Sequence, residues 1–501
     1  MLQQPPERYR GYRVAGIRLT EELLEDLSFH RTEKVGVTLD AVHAFDKAHI
    51  VMLVEQGLID RSDGKQIFEA IRRMERQGVW ETRLRAQGGE HSCEQYLVQN
   101  LGEQIGGQIN LGRSSGDLGE VSRRLTLRRK IVDGLAALND LRERIIGLSE
   151  RHVDVVFPAQ TFLQHAQPTS LGHWFGMWAT ALARDTDRLL GLLARVNQSP
   201  AGAGILTGSE FPISRHRTAD LLGFDAPMSN TFDAIISHDV NLEAVSVTGT
   251  VWSDLARLSD DVELWLSSDL QYVDIPDRFC DTSSVMPQKR NPSLPQQIKA
   301  QAVKSAGAIM SGFMAERGAS GQPMLERFEA ERLLWELLDD LVPLSKDLGL
   351  MLEALNPRTG RMLQAALEGW STASDLAGLM VTNAGLPWRS AHQITGIVVR
   401  LSGERGISPD QVTSELVDEA AELYFGKTLG LAPEAIAATI DPAQSVQRRS
   451  VYGGPAHARQ EGALAELRRG LQRDRAVIDS YQKRINEAAQ HLEEAIDAIL
   501  I

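Results

Sequence analysis

The chain has 501 residues, 43% of them hydrophobic and 24% charged, and its 53 Lys and Arg against 67 Asp and Glu leave a formal charge of −14. That length allows roughly two to four cores, and an acidic balance without a basic patch excludes nucleic acid as the main partner. No apolar run approaches the roughly 18 residues of a membrane span, and the start MLQQPPERYR has no apolar stretch after its charges, so a cytoplasmic protein is expected. Two cysteines, Cys93 and Cys280, are too few for a disulfide framework or a four-cysteine zinc site, and no metal site is expected.

Apolar residues recur every three or four positions almost everywhere, which predicts helices over Val121–Leu148, Leu171–Val196, Leu242–Leu266, Gln296–Phe313 and Glu329–Leu355, the last carrying Pro343 as a kink or break. No alternating run is long enough for a sheet core. The fold class read from this pattern is all-α, with a central bundle of long helices. Composition shifts divide the chain into an N-terminal helical part (1–115), the central bundle (116–365) and a C-terminal helical part (366–501), whose tail from Glu461 reads as a surface helix pair. Three loops rich in Gly, Ser, Pro or Thr interrupt the helices, at Gly106–Gly119, Asn197–His216 and Ile275–Pro295.

Two phosphate motifs fail by counting. Gly426–Thr428 lacks the glycine a P-loop needs at 421, and Gly202, Gly204 and Gly208 miss the dinucleotide spacing by one. The loop TSSVMPQKRNPSLPQQ, Thr282–Gln297, is different. It sets adjacent hydroxyls at Ser283 and Ser284, a turn at Pro287, cations at Lys289 and Arg290 and the Asn291 amide just before a helix. Fixed N–H donors, a lysine charge and a helix N-terminus are what carboxylate binding requires.

The stretch SSVMPQKRNP resembles the signature loop of the fumarase, aspartase and argininosuccinate lyase superfamily. LGRSSGDLGEVSRRLTLR at Leu111–Arg128 and QTFLQHAQPTSLGHW at Gln160–Trp174 are similar to that superfamily's other two motifs, and the resemblance is nearest to argininosuccinate lyase. It implies three helical domains, a homotetramer cored by the long helices, active sites shared between subunits, a small dicarboxylate or amine substrate and no cofactor. It also implies roles: Ser283 as the base, with Ser284, Met286, Lys289 and Asn291 on the substrate in the same loop. Ser114 and Thr161 would bind carboxylates, Arg113 and Gln164 would brace their loops, and His91 would lie near the substrate.

The sequence departs from that pattern where the leaving amine is handled. The second motif's histidine and the glutamate that pairs with it are replaced by Phe162 and Gln296. Loss of both is coherent, because either ion alone would be buried unpaired. His165, three residues on, reaches the same space if that segment is helical, and His91 is the other candidate acid. Ser115, Gly116, Ser293 and the segment Gly321–Trp335, with Arg327 and Arg332, replace the residues that hold an arginine moiety. The expected activity is therefore carbon–nitrogen cleavage of a different N-substituted aspartate to release fumarate. The alternatives are argininosuccinate lyase itself, a carboxymuconate-type cycloisomerase and a crystallin-like protein without activity.

Overall fold

The computed structural model describes residues 36–319, 321 and 327–501, the side chains of 327–329 excepted. The first part holds α1 (Leu39–Glu55), α2 (Arg61–Gln77), α3 (Val79–Ala86) and α4 (Ser92–Leu101). Their apolar faces meet around Val42, Phe45, Ile67, Phe68, Ile71 and Leu97. The bundle consists of α5 (Ser115–Arg151), α6 (Leu171–Val196), α7 (Asp239–Leu266), α8 (Ser293–Ala315) and α9 (Arg327–Glu353). All five predicted helices are present, extended at most by one or two turns. Pro343 lies inside α9 without ending it.

Two of the bundle's starts are set by short polar side chains. Ser114 caps α5 by accepting from Gly116 N while Asp117 accepts from Ser114 N at 2.8 Å, a reciprocal capping box. Ser170 caps α6 through His173 N at 3.0 Å. The helices alternate in direction. Ser149 donates to the Gly172 carbonyl at one end of the α5–α6 pair, and Arg124 to the Arg195 carbonyl at the other. Trp174 packs on Trp265 with centroids 4.3 Å apart, while Arg195 pairs with Glu243, so α7 runs back against α6. Leu135, Leu138, Trp178, Leu182, Trp252, Leu255 and Leu338 fill the bundle core, each such residue stabilising the fold by roughly 1.5–3 kcal/mol on burial.

Between α5 and α6 lies a feature the sequence pattern does not announce, an antiparallel hairpin of β1 (Val156–Thr161) and β2 (Gln164–Ser170). Phe162 and Leu163 form its turn at φ +54° and +57°. A second short pair, β3 (Cys280–Thr282) with β4 (Arg290–Pro292), closes the base of the loop before α8.

A separate apolar core joins α10 (Ala373–Ala384), α11 (Trp388–Arg405), α12 (Ser414–Phe425) and α13 (Pro433–Ile440) around Leu376, Met380, Ile394, Val398, Val417 and Ile436. The tail is one helix, α14 (His457–Leu500), not a pair. It runs along the bundle, with Arg468 on Glu150 and Arg475 on Glu143, and delivers Leu492, Ile496 and Ile499 to the N-terminal core. Among the described residues no helix is long and apolar enough to cross a membrane.

Candidate active site

The candidate residues fall into three groups. Ser114 sits at the start of α5 on a loop built from Asn110 and Arg113. The Arg113 guanidinium donates to Asn110 Oδ1 through Nε at 3.2 Å and Nη2 at 2.7 Å, pairs with Asp46 at 2.9 Å and lies over the Phe45 ring. Its side chain is 2% exposed, so it braces the loop and presents no cation outward. Asp46 also holds Arg83. Burial pushes the Asp46 carboxyl up, but the two guanidinium groups outweigh it and hold the acid below its usual range. His91, buried at the end of a single helical turn, takes the Asn110 amide on Nδ1 at 3.2 Å. Asp117 is pushed up to about 6 by burial, against the N–H groups of Ser114, Gly202 and Gly204. Through the latter two it ties the Asn197–His216 loop to the same cap.

The second group is the loop from Ser283 to Asn291. Ser283 Oγ accepts from Val285 N at 3.3 Å and Met286 N at 3.0 Å. Ser284, Met286 and Lys289 are exposed and Asn291 is half-buried in β4. Arg290 turns away, paired with Asp274 at 2.9 Å and Asp277 at 2.7 Å, so it anchors the loop and leaves Lys289 as the outward cation.

The third group is on the hairpin, and here one expectation is corrected. The segment is not helical, so His165 does not lie one turn from Phe162. Thr161 pairs with Gln164 and Gln160 with His165. Directly opposed residues share a face and neighbours alternate, so His165 points away from Thr161 and Gln164. It hydrogen-bonds Tyr272 Oη at 3.2 Å and packs so closely on Gly369 that a Cβ there would stand 2.0 Å from Nδ1. Burial first, then Arg361, lowers its pKa. Phe162 and Leu163 at the turn are 99% and 67% exposed. Gln296, in place of the family's glutamate, donates to Glu263. Arg332 pairs with Glu336 on the surface of α9, whereas the Arg327 side chain lies outside the described residues.

Within one chain these groups do not converge. Ser114 is at one end of the 37-residue α5, and the hairpin follows its other end, roughly 55 Å away at 1.5 Å per residue. The Ser283 loop follows the end of α7 that packs beside the hairpin end of α6. Among the described residues no group of three or more His, Cys, Asp or Glu could hold a metal ion. Asp46 and Asn110 were not singled out in the sequence. Asn110 sits in a recognised loop, but Asp46 reaches it only through the fold.

Residues 29–307 match the lyase family and residues 370–447 the C-terminal region of argininosuccinate lyase. The argininosuccinate lyase of Methanosarcina acetivorans is 31% identical over 480 residues, 95% of this chain and 96% of that protein. That of Methanoculleus marisnigri is 33% identical over 455 residues, 89% and 90% of the two chains. Among solved structures, EDDS lyase in complex with formate superposes with a TM-score of 0.87 at 28% identity, covering 93% of this chain and 92% of that one. The class II fumarase of Schistosoma mansoni shares the fold at a TM-score of 0.67 and 17% identity, over 81% and 90%. The chain belongs to the argininosuccinate lyase-like family of the fumarase and aspartase superfamily. It is a carbon–nitrogen lyase.

Proposed function

We propose that the protein eliminates an amine from an N-substituted aspartate to release fumarate, as a cytoplasmic homotetramer whose sites combine residues of several subunits. The observation that carries the reading is the setting of Ser283. A serine hydroxyl is ordinarily too weak a base. Here its oxygen accepts from two backbone N–H groups, donors that favour its ionised form, in the loop that also carries Lys289 and leads into α8. Ser283 takes the proton from the carbon next to a carboxylate. The resulting aci-carboxylate needs further donors, and the Ser114 cap, Thr161, Gln164, Ser284, Met286, Lys289 and Asn291 are the residues proposed to enclose the two carboxyl ends. The long separation of Ser114 from the other two groups is why the site needs more than one subunit.

Argininosuccinate lyase itself is the second reading, favoured by the names of the curated relatives. A solved structure of EDDS lyase, in a variant form, carries bound fumarate. The test incubates fumarate with arginine and, separately, with diamines, amino acids and amino-polycarboxylates, following loss of fumarate absorbance. Consumption with a non-arginine amine and none with arginine supports the first reading. Efficient turnover with arginine, at kcat/KM of about 10⁴ M⁻¹s⁻¹ or more, favours the second.

A further inference from the structure

The orientation of Asn110 decides where His91 carries its proton. Asn110 Oδ1 receives two N–H groups of Arg113, and a flipped amide would set its NH2 against them, donor to donor. The amide nitrogen is therefore the atom 3.2 Å from His91 Nδ1. Burial pushes the nearby Glu94 carboxyl up, and Asn110 opposes that shift. Facing an N–H donor, His91 Nδ1 must be the acceptor, so the ring is neutral and its proton is on Nε2. Arg113 in turn is fixed by Asp46, so Asp46, Arg113 and Asn110 set this tautomer in sequence. The Gly89–His91 turn packs on the first turns of α5, where a Cβ on Gly119 would meet Glu90 at 3.5 Å, and Asn110 links the His91 ring to Arg113, the residue before the Ser114 cap.

We propose that Asn110 is a positioning residue that holds His91 as a neutral Nε2–H donor to a substrate carboxylate rather than as a proton-transferring acid. The inference rests on the lyase reading above and narrows its substrate. A neutral imidazole that gave up its proton would become an imidazolate, which is useless as an acid at neutral pH. The leaving nitrogen must then arrive already protonated. Ser283 takes the Cβ proton, the electrons of that bond become the aci-carboxylate and then the new Cα–Cβ double bond, and the Cα–N pair leaves on an ammonium nitrogen that departs as a neutral amine. Substrates are N-substituted aspartates of basic alkyl amines, which like lysine hold their proton up to about pH 10. Weakly basic aryl amines, unprotonated at neutral pH, are excluded.

Two measurements test this on the full-length protein. Ring-15N-histidine spectra, with the His91 signal assigned by its loss in His91→Gln, should show Nε2 protonated and Nδ1 bare. Asn110→Asp, which puts a carboxylate oxygen opposite Nδ1, should move a proton there. A protonated Nδ1 in the wild type, or a spectrum that does not respond to Asn110→Asp, overturns the assignment, and neither result depends on any turnover. In kinetics with an alkyl amine and fumarate, His91→Ala should lower kcat about 100-fold, and His91→Gln, whose amide supplies an N–H in the same place, should recover at least tenfold of that. If Gln is as poor as Ala, or if anilines serve as well as alkyl amines, His91 is an acid and the proposal fails. Absence of turnover with every amine, beside the expected spectra, would remove the lyase reading and leave the tautomer standing.

Discussion

Mixing two inactive variants measures directly whether the site is shared. Ser114→Ala removes the proposed carboxylate donor at one end of α5, and Ser283→Ala removes the proposed base at the opposite end of the bundle. At 1.5 Å per residue, the 37 residues of α5 and the 28 of α7 separate these ends by roughly 40–55 Å, many times the length of a succinyl group. One chain therefore cannot close a site around both serines. Each variant alone should form inactive tetramers. Denaturing a one-to-one mixture and refolding it gives subunits distributed at random, and a site is intact only where a Ser283→Ala chain supplies Ser114 and a Ser114→Ala chain supplies Ser283. That chance is one half times one half, so about a quarter of wild-type activity should return if each site draws the two serines from different copies of a symmetric assembly. The assay follows fumarate absorbance before and after refolding, with native mass spectrometry reporting the hybrids. Hybrid tetramers with no recovered activity would refute the geometric argument.

Ser283→Ala alone should lower turnover by about 10²–10⁴-fold or more while leaving thermal unfolding unchanged, because its oxygen touches only its own loop; activity within tenfold of wild type would sink the assignment. Asp46→Asn should destabilise the fold by roughly 3–5 kcal/mol, read from urea unfolding, since it leaves Arg83 and Arg113 buried against a neutral side chain. Gly369→Ala should displace His165 from Tyr272 and lower the melting temperature without selectively changing the KM for fumarate. His49 is held down to about 3 by burial, opposed by its bond to the Leu111 carbonyl. Its neutral form stabilises the fold fully above pH 6.5, and that contribution is lost as pH falls toward 3, so at pH 5 the protein should have lost about 2 kcal/mol from this group. Calorimetry from pH 7.5 to 5 checks it, and His49→Gln should flatten the slope.

The long helices were legible because an apolar stripe at helical spacing survives any tertiary context. Leu171–Val196 was readable to the residue since Ser170 supplies its cap and Asn197 its end. The hairpin was not legible for an equally physical reason. VFPAQT and QHAQPTS carry no alternation of apolar and polar residues, and the turn places Phe and Leu at positive φ where Asn-Gly is the usual signal. That single omission turned His165 to the wrong side. The last element is one helix rather than two surface helices, because it lies along the bundle, with Arg468 and Arg475 against carboxylates of α5 and its apolar end in the N-terminal core. The signature loop could be read as a motif, but which of its two cations faces outward depends on Asp274 and Asp277, and the role of Arg113 on an aspartate 67 positions earlier.

The hairpin turn links these corrections to the missing acid. Two bulky residues in a left-handed conformation cost of order 1–3 kcal/mol each, and here they are held with Phe162 99% exposed in the isolated chain. A strained, exposed pair of large apolar side chains is the kind of surface that a partner covers. If the chain assembles as proposed above, a neighbouring subunit would cover this turn. An apolar ring at that place excludes water and offers no proton, while Gln296 is satisfied by Glu263 and needs no ionic partner. Phe162 and Gln296 then supply no acid–base group of their own. That is consistent with a nitrogen that brings its own proton.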